Sequence, residues 1–229
     1  NGVQPLTEAF DGFLIHSRAF ATLPLVEPGA HADLTGSMVE TPEPVLLRGD
    51  LDAPVLVLQA EGDVIGVLDS VAIRQPASDT LRFWEIAGAS HADAFLLGDI
   101  ASSLDCGVAI NDGPMHLVTK AALRALERWV TTGEAPPNAE LLEVTDETRP
   151  AFVRDGDGIV VGGIRTPLVD VPVDVLSGEP GPSTDLICIL MGSTTPLPPE
   201  RLAERYGSPD AYLAEFEASA DASIEAGFV

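Results

Sequence analysis

Two ionisable side chains follow two apolar runs in the middle of the sequence, and their types and order suit proton transfer. Residues 55–58 form the first run, and Asp63 lies in the polar turn after it. Residues 81–86 form the second run, and His91 follows it, 28 positions after Asp63. Apolar runs of this length are typical of buried strands, and catalytic groups collect where parallel strands end. An aspartate followed by a histidine is the second half of a Ser…Asp…His catalytic order, in which the histidine transfers the proton.

Both residues also have structural interpretations, and Glu61 competes with Asp63 for the acid role. An aspartate after a strand often bonds backbone amides in a turn, and an isolated histidine is more often a hydrogen-bonded structural residue. The two residues in this order, each after a strand, favour the catalytic interpretation. Glu61 shares the side of an extended chain with Asp63, but Asp63 lies later in the loop and can turn towards His91. Asp93 is expected to cap a short helix.

Four segments of the chain resemble one bacterial family. They are the turn A-E-G-D at 60–63, the loop G-A-S-H-A-D at 88–93, and the longer stretches 106–137 and 162–173. Together they resemble bacterial proteins described as α/β hydrolase domain-containing, and the resemblance spans nearly the whole chain. It implies that Asp63 is the acid and His91 the base of a Ser-His-Asp triad in a carboxylic ester hydrolase.

The G-x-S-x-G motif, which carries the nucleophile in such hydrolases, is absent from the chain. In the resembled family the nucleophile turn and its helix come just before a strand like the one expected at 10–15. We therefore expect the nucleophilic serine and the oxyanion hole to lie upstream of residue 1. The expected partners are the N-terminal half of the same protein, in the same or a separate chain, and a small-molecule ester. Activity is expected only when that half is present.

Three polar residues and one aromatic residue are candidates for the walls of a substrate pocket. His16, Ser17 and Arg18 follow the first expected strand, and Phe95 follows the histidine loop. Ser17 is also an alternative nucleophile. Its I-H-S-R-A context, however, lacks the small residues that a strained nucleophile turn needs.

The strand signals, together with the resemblance, imply an α/β fold with a mostly parallel sheet and flanking helices. Residues 1–140 are predicted to form the C-terminal part of an α/β-hydrolase core, with a possible cap at 23–53, where prolines are frequent and no periodicity is visible. Residues 141–229 are predicted to form a β-rich appendage with terminal helices. Further elements are expected as short strands at 141–144, 151–154 and 159–161, an edge strand or extended arm at 169–175, and helices at 68–74, 199–206 and 210–226. A long helix is expected to begin at Asp112-Gly113-Pro114 and to stop at Thr131-Thr132-Gly133.

Acidic residues outnumber basic ones by 36 to 12, which gives a net charge of −24. Such a surface repels phosphate backbones and anionic lipids, so we expect neither a nucleic-acid nor a membrane partner. The D-G-D-G sequence at 155–158 lacks the ligand spacing of a calcium loop, and no cofactor is predicted. Cys106 and Cys188 could form a disulfide or stay as thiols, and the cellular location does not follow from them.

Three other functions stay open beside the serine esterase. The same acid and base could serve a hydrolase with an upstream aspartate nucleophile, such as an epoxide- or halide-processing enzyme. The chain could instead be a non-catalytic binding or scaffold module in which Asp63 and His91 have lost their role. The C-terminal appendage could also be an assembly interface, with catalysis incidental to it.

Overall fold

A computed structural model describes residues 9–21 and 43–229 of the chain. The cap predicted at 23–53 therefore lies mostly outside the described residues. Its described part, residues 43–53, contains no helix or strand.

A three-stranded parallel sheet forms the centre of the structure. Its strands are β1 (Phe13–His16), β2 (Val55–Ala60) and β3 (Leu81–Ile86), in the order β1-β2-β3. All six residues of β2 are buried, because Leu56 and Leu58 pack on one side of the sheet and Val55 and Val57 on the other. The strands predicted at 55–58 and 81–86 are confirmed, while β1 begins at residue 13 rather than 10. Since the strands are parallel, their carboxyl ends lie at one edge, where turns carry the candidate site.

Three helices follow these strands. They are α1 (Glu61–Val64), α2 (Ala94–Leu97) and α3 (Met115–Thr132), with short 3-10 helices at Ser70–Ile73 and Gly98–Ser103. The long helix α3 packs Val118 and Ala122 against Trp84 in the core beside the sheet. It ends at Thr132, and the next residue, Gly133, has a φ of 77°, the left-handed conformation that glycine adopts without steric cost. Asp93 caps α2, as predicted, by accepting a hydrogen bond from a backbone N–H of that helix.

The C-terminal part contains one small antiparallel sheet and three helices. Its elements are α4 (Pro167–Asp170), β4 (Asp174–Ser177), a 3-10 helix at Leu186–Leu190, β5 (Ser193–Pro196), α5 (Pro199–Tyr206) and α6 (Pro209–Glu225). The two terminal helices are confirmed close to their predicted bounds. The three short strands predicted at 141–161 instead pair only through isolated bridges. In the described parts of the chain, no helix is both long enough and apolar enough to cross a membrane.

The prediction of an edge strand or extended arm at 169–175 is wrong. Pro167 begins a helical turn there, because its fixed φ suits the first helical position. The N–H groups of Val169 and Asp170 both donate to the Thr166 carbonyl, which closes the turn. Strand β4 therefore starts only at Asp174. The alternating valines that predicted a strand lie partly in this helical turn, partly in the segment that connects it to β4 and partly in β4 itself.

The C-terminal part covers the outer edge of β3. Ile164 pairs with Ile86 through a parallel bridge, and the Ala87 N–H donates to the Ile164 carbonyl at 3.0 Å. This pairing occupies backbone groups that an edge strand would otherwise expose. The domain boundary near residue 140 stays a prediction.

Cys106 and Cys188 form a disulfide that closes a loop of 82 positions. Both residues are buried, in a cluster with Ile110 and Met191. A bridge across a loop of this length stabilises the fold by about 4.5 kcal/mol in the chain-entropy model. It ties the segment after α2 to the segment before β5.

Candidate active site

Asp63 lies on a single helical turn directly after β2. It is the third residue of α1, and its Oδ2 accepts a hydrogen bond from the Ala60 N–H at 2.8 Å. A Cβ atom on Gly62 would lie 2.7 Å from the Gly178 carbonyl oxygen, so this close approach requires a glycine. The turn thereby fixes the Asp63 carboxylate at the carboxyl edge of the sheet.

The contact between Asp63 and His91 that the sequence predicts is present. Asp63 Oδ1 lies 2.8 Å from His91 Nδ1, and the carboxylate is fully buried. With the Nδ1 proton facing the carboxylate, Nε2 holds the lone pair of the neutral imidazole. Among the described residues, Nε2 has no hydrogen-bond partner, and 30% of the His91 side-chain surface is exposed. The imidazole therefore has one nitrogen oriented by a carboxylate and one free to accept a proton.

Two histidines respond to the Asp63 carboxylate, in different ways. Its hydrogen bond raises the pKa of His91 above the ordinary value, against the opposing effect of burial. Burial lowers the pKa of His16; the Asp63 charge opposes this shift, and a charged His91 adds to it. His16 Nε2 also lies 3.2 Å from Met115 Sδ. The net shifts are therefore opposite, with the pKa of His91 raised and that of His16 lowered.

Ser17 supports Asp63 from the end of β1. Its hydroxyl donates to Asp63 Oδ2 at 2.8 Å, and its N–H donates to the Leu58 carbonyl at 2.9 Å. Its φ of 52° lies in the left-handed region, which few residues other than glycine adopt. The hydroxyl proton faces the carboxylate instead of the His91 imidazole, so this geometry suits a residue that orients the acid better than one that His91 deprotonates.

Replacing Ser17 by alanine is expected to lower kcat of the natural full-length protein about tenfold, because Asp63 loses one donor. Ser17→Gly removes the same hydroxyl but suits the left-handed backbone, so it should lower kcat equally while unfolding at a higher temperature than Ser17→Ala. Steady-state kinetics and thermal melts of both variants check this. Unchanged kcat in both variants would contradict an orienting role for the hydroxyl.

Glu61, the competing acid, makes its described hydrogen bonds to groups other than the His91 imidazole. Its Oε1 accepts from Arg154 at 2.7 Å, and its Oε2 accepts from the Gly88 N–H at 2.8 Å. Burial raises the pKa of Glu61, and Arg154 opposes that shift. The geometry therefore favours Asp63 over Glu61 as the partner of the imidazole.

Arg18 and Phe95, the other predicted pocket residues, contact groups outside the Asp63–His91 pair. The Arg18 N–H donates to the Gln59 side-chain oxygen, and the Gln59 side-chain N–H donates to the Arg18 carbonyl. The Arg18 guanidinium donates to the Val45 carbonyl. Phe95 is 59% exposed on α2, and its ring stacks on His116 at 3.9 Å. No hydrogen bond or ring contact joins either residue to Asp63 or His91 within the described ranges. A pocket role for Arg18 and Phe95 stays a prediction.

Asn111 is a supporting residue that the sequence did not indicate. Its fully buried side chain donates to the Gly88 and Ser177 carbonyls at 2.9 and 3.1 Å, and it accepts from the Gly113 N–H at 2.9 Å. It thereby ties the histidine loop to β4. The N-D-G-P sequence at 111–114 predicts a turn, but it carries no signal for these distant carbonyls.

The described residues contain no group of three or more histidine, cysteine, aspartate or glutamate side chains arranged to hold a metal ion. Two buried carboxylates have protein cations as partners instead. Glu61 bonds Arg154, and Glu85 bonds Arg74.

Comparison with protein families gives a match that covers the whole chain. The model of a family described as an alpha/beta hydrolase domain matches residues 1–229. The chain belongs to this alpha/beta hydrolase family. The parallel sheet with flanking helices agrees with that fold. Searches of curated proteins and of solved structures each gave no match to this alpha/beta hydrolase.

Proposed function

We propose that this alpha/beta hydrolase is a carboxylic ester hydrolase in which His91 is the general base and Asp63 the acid of a Ser-His-Asp triad. The observation that carries the proposal is the 2.8 Å contact between Asp63 Oδ1 and His91 Nδ1, with Nε2 unpartnered among the described residues. An imidazole held in this way is the arrangement that activates a hydroxyl nucleophile. The nucleophilic serine and the N-terminal half that carries it are proposed to precede residue 1.

In the first half of the reaction, the serine oxygen attacks the ester carbonyl while His91 Nε2 takes the hydroxyl proton. Asp63 keeps Nδ1 protonated and stabilises the imidazolium that forms. His91 then gives the proton to the departing alcohol, which leaves an acyl-enzyme. In the second half, His91 takes a proton from water, the resulting hydroxide attacks the acyl carbon, and the carboxylic acid leaves as the serine regains its proton.

A covalent label together with an ester panel tests this function on the natural full-length protein. A fluorophosphonate should modify one serine, and short p-nitrophenyl esters should be hydrolysed at a rate that the label abolishes. Turnover of an epoxide or a haloalkane without serine labelling, with an aspartate at the nucleophile position, would favour the epoxide- or halide-processing alternative. The absence of labelling and of turnover of any ester, epoxide or haloalkane would favour the non-catalytic module.

A further inference from the structure

A buried carboxylate joins the two loops that carry Asp63 and His91. Glu61 is fully buried on α1, two positions before Asp63, and its Oε1 lies 2.7 Å from Arg154 Nη2. Its Oε2 accepts a hydrogen bond at 2.8 Å from the N–H of Gly88, three positions before His91. The Glu61 side chain thus links the helical turn that carries Asp63 to the loop that carries His91 and to the C-terminal part of the chain.

Arg154 is itself held on several sides. Its Nη1 donates to the Gly158 carbonyl at 3.1 Å, and its guanidinium lies 5.4 Å from the centre of the Phe152 ring. Its Nη2 donates both to Glu61 and to Glu179, the second at 2.5 Å. Glu179 is 46% exposed, whereas Glu61 has no exposed surface. The buried charge of Glu61 therefore depends on Arg154, while Glu179 can be solvated without it.

We propose that Arg154 and Glu61 are positioning residues, which keep Asp63 and His91 at hydrogen-bond distance by fixing their two loops to each other. This inference rests on the proposed function. A buried ion pair contributes little net stability compared with apolar side chains of the same volume. Stability alone therefore does not explain why a buried Arg154–Glu61 pair lies between these loops. Misplacement of a catalytic group by about 1 Å can lower a rate about 100-fold.

The chain offers a matched pair for comparison. Arg74 bonds Glu85 through Nε–Oε1 and Nη2–Oε2 contacts of 2.8 and 2.6 Å. Glu85 is also buried, and its Oε2 accepts from the Leu142 N–H at 2.8 Å. This second pair joins β3 to the C-terminal part in the same way, but it makes no described hydrogen bond to the turn of Asp63 or the loop of His91.

The kinetic test compares Arg154→Met, Arg74→Met and the double variant Glu61→Gln/Arg154→Met in the natural full-length protein. Arg154→Met leaves a buried charge unpaired and should lower kcat about 100-fold with KM changed less than about threefold. The double variant removes that charge, and its amide oxygen can still accept from the Gly88 N–H. It should recover kcat to within about tenfold of the wild type. Arg74→Met should keep kcat within about threefold.

Titration of the His91 imidazole by NMR gives a readout that needs no turnover. Asp63 is the described charged group that shifts the pKa of His91, and a charged His91 in turn lowers the pKa of His16. Loss of the guanidinium charge alone would raise the pKa of His91, whereas loss of the Asp63 hydrogen bond would lower it. We expect a lower pKa in Arg154→Met and no change in Arg74→Met.

The proposal is overturned if Arg154→Met lowers kcat no more than Arg74→Met, if the pKa of His91 does not fall, or if the double variant gains nothing. Should Arg154→Met not fold, Arg154→Lys decides, because it keeps the charge but loses the planar fork. A fall of about tenfold in its kcat supports positioning, and an unchanged kcat overturns it. If the wild type hydrolyses no ester, the proposed function fails, while the titration still decides whether Arg154 positions His91.

Discussion

Replacing His91 by alanine is expected to lower kcat of the natural full-length protein about 10⁴-fold or more, equal to roughly 5–6 kcal/mol of barrier. The reason is that Nε2 is the proton acceptor in the proposed reaction, and alanine has none. The fold should survive, because the imidazole is partly exposed and makes its described hydrogen bond only to Asp63. Hydrolysis of short esters, with a thermal melt of each variant, measures both effects.

His116→Ala is the matched control for this loss. It also removes an imidazole, but that ring stacks on Phe95 and has no described contact with Asp63. We expect its kcat to stay within about threefold of the wild type. Equal losses in the two variants would mean that His91 acts through general packing and is not the base.

Replacing Asp63 by asparagine is expected to lower kcat by a comparable factor, about 10⁴-fold, because the amide favours the wrong imidazole tautomer. The pH profile should change as well. Asp63 raises the pKa of His91, and the base works only when neutral, so the acidic limb of kcat/KM in the wild type lies above the ordinary pKa of histidine. Without the carboxylate, that limb should move to lower pH. A limb that stays in place would contradict the role of Asp63.

The central sheet and the Asp63–His91 contact could be predicted because each depends on a short-range signal. Apolar runs of strand length at 55–58 and 81–86 place two strands, and parallel neighbours bring their carboxyl ends together. An ionisable residue shortly after each run is then expected to lie at that shared edge of the sheet. The predicted contact required only that the two strands be adjacent, which they are.

The support around that contact could not be predicted, because it depends on side chains that are far apart in sequence. Glu61 and Arg154 are 93 positions apart, and no periodicity relates them. The bond from Ser17 to Asp63 depends on a left-handed backbone conformation that no local sequence signal indicates. At 169–175 the valine alternation was a genuine strand signal, but Pro167 and the Thr166 carbonyl close a helical turn instead.

The most direct test of the account is kcat of the double variant Asp63→Asn/His91→Ala beside both single variants. If the two residues act as one acid–base unit, the double variant should be no more than about threefold slower than His91→Ala alone. Two independent binding residues would instead multiply their losses. Multiplied losses, or wild-type turnover kept by both single variants, would contradict the assignment of Asp63 and His91 as the acid and base of an ester hydrolase.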